Sequence, residues 1–176
     1  MTSALVDLRY ICAEVTSALR YAESKHGVFM AFNGAAIFGG FGALRTLTSS
    51  AEEPIIAIIL HTTLILLSCA MLTSMSSFLP KFIENATGGK ATPGENILFF
   101  EHIKMHTVDS YIDTMRAQYG VDSAEVTKFD RCLILQIIVN AQLTARKFRL
   151  FRWAAYFDLA ALFVIGFGFL LNFIIA

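Results

Sequence analysis

His102 and His106 are four residues apart, so a helix through them sets both imidazoles on one face, with Glu101 beside the first and Asp109 nearly one turn beyond the second. Two imidazoles and a carboxylate are a metal-type donor set. The arrangement lacks the glutamate between the ligands that an H-E-x-x-H site uses as its base, so a surface or structural role is the reading and no metal is expected. No GxSxG elbow, phosphate loop or Cys/His pair occurs, and Asp109 with Asp113 reads as the solvated face of a helix. Cys12, Cys69 and Cys132 are odd in number and far apart, which suits buried free thiols rather than a disulfide framework or zinc knuckle. These patterns argue against an enzyme and against a resident cofactor.

Polar side chains in apolar surroundings are more informative. Gln136 and Asn140 interrupt a stripe formed by Val126, Phe129, Leu133, Leu143 and Lys147. A buried amide is costly unless its donors and acceptors are met, so the two either fix the register of a helix pair or read the edge of a small polar ligand. Lys25, Arg146 and Lys147 stand near apolar runs, where they can snorkel, meet lipid headgroups or hold a phosphate. Asn33 and His61 lie inside apolar runs, where each would bond across helices or line a wet path. Gly34, Gly39 and Gly40 would let helices approach closely there.

Composition sets what must position these groups. Of 176 residues, 56% are hydrophobic and only 16% charged, and the mean hydropathy is +0.60; this is membrane composition. Fourteen basic residues balance fourteen acidic ones, which gives no field for a nucleic acid polymer. Three runs are long and apolar enough to cross a bilayer: 27–47, 54–80 and 152–175. Lys and Arg crowd before the first and before the third, notably Arg146, Lys147, Arg149 and Arg152, which predicts a cytoplasmic N-terminus and middle segment.

The expected fold is an all-α membrane protein. Residues 1–26 form a cytoplasmic amphipathic helix with Leu5, Leu8, Cys12, Val15, Leu19 and Ala22 along its seam. Residues 81–150 form a cytoplasmic helical sensor region: a loop from Pro80, a helix from Glu95 to Gln118, and another from a cap at Ser123 toward the third span. Together they make a helical bundle on the membrane.

Three stretches, "YAESKHGVFMAFNG", "NILFFEHI" and "QIIVNAQLTARKFRLFRWA", together resemble the small transmembrane effectors of Pycsar antiphage defence over about Tyr21 to Tyr156. The matching positions are Lys25, Asn33, Asn96, Phe99, Phe100, His102, Gln136 and Lys147; Gly27 and Val28 depart from the family's pattern. The resemblance implies an inner-membrane, multi-pass effector that senses cyclic CMP or cyclic UMP from a cognate cyclase and impairs the lipid bilayer, so that the infected cell dies. Candidate ligand contacts are Lys25, Asn96, Phe99, Phe100, His102, Gln136, Asn140 and Lys147. A homo-oligomer is expected from the amphipathic seam and the glycine-rich first span. The competing reading is a constitutive oligomeric membrane scaffold or small channel without nucleotide input.

Overall fold

The computed structural model describes residues 3–50, 54–79, 96–120 and 126–175. The described residues are helical almost throughout: α1 (Ser3–Ser50), α2 (Pro54–Met75) closed by a 3-10 turn at Ser76–Phe78, α3 (Phe100–Ile103), α4 (Val108–Tyr119) and α5 (Lys128–Ile175). Three of these helices are long and apolar enough to cross a membrane. At 1.5 Å per residue, the 48 residues of α1 or of α5 extend about 72 Å, more than twice the hydrocarbon thickness of about 30 Å. The chain is a multi-pass α-helical membrane protein. It divides into two compact units, one from Met1–Glu23 with Pro80–Phe148 and one from Ser24–Leu79 with Arg149–Ala176, so α1 and α5 each supply residues to both.

The first unit has a continuous apolar core. Leu8, Ile11 and Val15 of α1 meet Ile103, Tyr111 and Met115 of α3 and α4 and Ile134, Ile137 and Ala141 of α5. The buried side of α1 follows the expected seam in part, with the Leu5 side chain outside the described residues. Leu8, Ile11, Val15 and Ala22 are buried, while Cys12 and Leu19 are only partly so. Ile11 and Cys12 are both apolar, and the partner helices select the stripe that carries the larger side chain. The thiols are free, but none is fully buried, and Cys132 is exposed.

A single helix from Glu95 to Gln118 does not form. Glu95 lies outside the described residues, α3 ends at Ile103, and Lys104 and Met105 make a turn. Thr107 then adopts an extended conformation (φ −87°, ψ 168°) and caps α4: its hydroxyl accepts from the Ser110 amide while the Ser110 hydroxyl accepts from the Thr107 amide. The break lets Tyr111 enter the core and donate its hydroxyl proton to the Ile97 carbonyl at 3.0 Å. Gly120 ends α4 at φ 66°, a left-handed conformation that glycine adopts without a Cβ clash. The loop from Pro80 and the cap at Ser123 also fall outside the described residues. The described part of α5 starts at Lys128, behind a reciprocal Thr127–Asp130 cap in which each backbone amide meets the other's side chain.

The second unit shows how apolar helices carry polar side chains. On α2 the hydroxyls of Thr62, Thr63, Ser68 and Thr73 donate to carbonyls one turn back, at 2.7–2.9 Å. Each of these four hydroxyls is satisfied within its own helix, as lipid favours. Large apolar side chains including Val28, Phe38, Ile65 and Phe163 point outward. Trp153 and Tyr156, exposed and in edge contact, mark the entry to the last apolar stretch, where aromatic side chains favour the water–lipid boundary.

Glycines allow two close approaches. A methyl at Gly40 would lie 2.7 Å from Leu64 Cδ2, and one at Gly168 would lie 2.6 Å from Ile59 Cδ1 and 2.9 Å from both Cγ atoms. At Gly34 and Gly39 no atom of the described residues lies within 4 Å of that position.

Candidate ligand-binding site

The residues that sequence reasoning singled out for a ligand fall into separate groups. Around α3, the Asn96 side-chain oxygen accepts from the Leu98 amide at 2.9 Å, forming a local turn. The Asn96 amide donates to His102 Nδ1 at 3.0 Å. A backbone N–H can only donate, so Nδ1 is the acceptor and the neutral ring carries its proton on Nε2. Phe99 is 45% exposed and lies against Phe100 and His102. Phe100 instead stacks on Phe148 at 5.5 Å, with Phe148 near Tyr21, and packs against the core. Of the two phenylalanines, Phe99 presents the free ring face.

His102 and His106 do not share a helical face, because the chain turns between them. His106 is buried, 2.9 Å from the Ser110 hydroxyl and in edge contact with Tyr111. Among the described residues no group of His, Cys, Asp or Glu is arranged to hold a metal.

Along α5 a second group points to α1. Gln136 Nε2 donates to Asn140 Oδ1 at 3.0 Å, and Asn140 Nδ2 donates to the Thr16 hydroxyl at 3.2 Å. Two turns on, Lys147 is 8% exposed and pairs with Glu23 at 3.1 Å. Thr16 and Glu23, like Asn140 and Lys147, are one heptad apart, the repeat that keeps two helices in contact. Among the described residues, no hydrogen bond, ion pair or ring contact joins Gln136 and Asn140 to Asn96, Phe99 or His102.

Beside the amide chain lies a groove of about 420 Å³ lined by Arg9, Cys12, Ala13, Thr16, Ser17, Arg20 and Leu133. The volume suits a small ligand, and the lining combines guanidinium groups, hydroxyls and an apolar wall. Guanidinium and hydroxyl groups recognise phosphate, and a side-chain amide recognises a base edge. Sequence reasoning missed this face. The usable signal was the spacing Arg9, Thr16, Arg20, seven and four residues, which is one side of a helix.

Lys25 belongs to the second unit, with its ammonium 5.7 Å from the centre of the Phe151 ring. His26 there is fully buried, 2.6 Å from the Ser74 hydroxyl and edge-on to Phe78 and Phe151. Asn33 is also fully buried and donates to Asp158 at 3.2 Å, across helices as its position in an apolar run demands. His61 is exposed and turns back to the Ala57 carbonyl of its own helix at 2.7 Å. Asp158 lies inside the third apolar run, where an ionisable residue is itself a signal.

No curated protein and no solved structure matches the chain. The profile of the Pycsar effector protein domain matches residues 7–173, which takes in α2, α3 and α4 and nearly all of α1 and α5. The chain therefore belongs to the Pycsar effector protein domain family, as a membrane-embedded member with three helices able to span a bilayer.

Proposed function

We propose that this protein is an antiphage effector that binds cyclic CMP or cyclic UMP in its first unit and answers by impairing the inner membrane, causing abortive infection. Residues 1–26 and 81–150 face the cytoplasm as the sensor, and 27–47, 54–80 and 152–175 cross the membrane. The observation that carries the reading is the groove of Arg9, Thr16, Ser17 and Arg20 beside the Gln136–Asn140 amide pair, within a chain of this family. In this reading the guanidinium groups take the cyclic phosphate, and Gln136 and Asn140 discriminate the pyrimidine edge. Base stacking alone tolerates every base and is worth about 1–3 kcal/mol. Phe99, His102 and Lys147 are secondary contacts in the same unit. The protein performs no turnover of the nucleotide.

A ligand shifts a membrane assembly only through unequal affinity for two arrangements. Because α1 and α5 supply residues to both units, a change in the contacts of Thr16 or Asn140 acts on helices that also build the spans. Homo-oligomers would repeat the site once per chain. The test is dye release from vesicles containing the full chain: release on adding one cyclic pyrimidine nucleotide, and none with the purine forms, is expected. Leakage that ignores all nucleotides would instead support a constitutive channel.

A further inference from the structure

Asn33 is fully buried and Asp158 is 9% exposed. Asn33 Nδ2 donates to Asp158 Oδ2 at 3.2 Å, the one hydrogen bond of this carboxyl among the described residues. The remaining side-chain oxygens of both residues, Asn33 Oδ1 and Asp158 Oδ1, are buried without a donor. Two orphaned acceptors side by side are costly, and an ionised carboxylate at this depth is costlier still.

Among the described residues, the surroundings supply no compensating charge. Asp158 lines an apolar cavity of about 340 Å³ with Leu60, Thr63 and Leu64 of α2, and the Thr63 hydroxyl is committed to the Ile59 carbonyl at 2.9 Å. Among the described residues, the other ionisable groups of the same unit are Lys25, His26 and Arg45 on α1, His61 and Cys69 on α2, and Arg149, Arg152 and Tyr156 on α5. None of them lines the cavity or is hydrogen-bonded to Asp158.

One proton satisfies both oxygens. Placed on Asp158 Oδ1, it can be donated to Asn33 Oδ1, closing a ring in which acid and amide exchange two hydrogen bonds. We propose that Asn33 and Asp158 form a proton-binding site between α1 and α5 of the membrane unit, occupied as a neutral carboxylic acid–amide pair. The step is the binding of one H⁺ from water, with no change in oxidation state. The occupied pair carries no charge and leaves neither side-chain oxygen unpaired, so two helices adhere there without admitting water. The site is independent of any nucleotide.

The experiment is infrared difference spectroscopy at neutral pH on the full chain in lipid vesicles, comparing the wild type with Asp158→Asn and Asn33→Leu. The wild type should show a protonated-carboxyl C=O band that is lost in Asp158→Asn. In Asn33→Leu the band should shift to the higher frequency of a carboxyl with fewer hydrogen bonds. Asp158→Asn keeps a neutral side chain able to exchange two hydrogen bonds with Asn33, so its circular dichroism and elution should match the wild type. Carboxylate bands in place of the acid band would overturn the proposal in favour of a bound cation or amine, a band unmoved in Asn33→Leu would overturn the pairing, and misfolding of Asp158→Asn would contradict the neutral pair.

Discussion

Replacing Gly168 by alanine should destabilise the membrane unit, and replacing Gly166 should not. At Gly168 the added methyl meets Ile59 Cδ1 at 2.6 Å and both Cγ atoms at 2.9 Å, whereas at Gly166 it meets nothing within 4 Å. Ile59 cannot simply turn away, because χ1 rotation of a β-branched side chain in a helix exchanges one γ carbon for another. The helices must separate, at an overpacking cost of about 1–3 kcal/mol. Both substitutions share the helix-propensity gain of about 1 kcal/mol, so it cancels in their difference. For a chain of this size about 1 kcal/mol corresponds to 2–4 °C, which puts Gly168→Ala roughly 2–12 °C below Gly166→Ala. Gly40→Ala should fall between them, since Leu64 meets the new methyl mainly through one terminal carbon and can swing aside. Thermal melts of the three variants in one detergent read the order directly. Equal melting temperatures for Gly168→Ala and Gly166→Ala would refute the α2–α5 contact.

Further outcomes follow from the first unit and from topology. Ile137→Ala removes a fully buried core side chain and should cost about 2–5 kcal/mol in chemical denaturation; a loss under about 1 kcal/mol would contradict the core. If Lys147 donates to the ligand phosphate, Lys147→Met should weaken nucleotide binding about ten- to a hundred-fold, and Glu23→Gln should strengthen it by removing the competing carboxylate at 3.1 Å; no change in either would confine Lys147 to a structural ion pair. A reporter active only in the cytoplasm and fused after Ala176 should be silent, and strong activity would reverse the proposed orientation.

The three apolar runs were legible because a membrane span is a one-dimensional signal of length and hydropathy. The turn at Lys104 and Met105 was not, because it contains neither glycine nor proline, and the Thr107–Ser110 cap lacks the glutamate or glutamine that usually announces one. Asn33 and Asn140 were visible as amides in apolar stripes, yet their partners Asp158 and Thr16 are 125 and 124 residues away and no local pattern points to them. Arg9 and Arg20 come to line a groove only once α5 brings Leu133 beside them. Phe100 illustrates the opposite limit: the family resemblance makes it a candidate ligand contact, and its stack on Phe148 places it against the core.

Calorimetry of the full detergent-purified chain against cyclic CMP, cyclic UMP, cyclic AMP and cyclic GMP tests the central claim most directly. The account predicts saturable binding of one pyrimidine species at one site per chain, with affinity lost at least tenfold in Arg9→Ala and in Asn140→Leu. Absence of binding to all four nucleotides by a folded, monodisperse protein would contradict it.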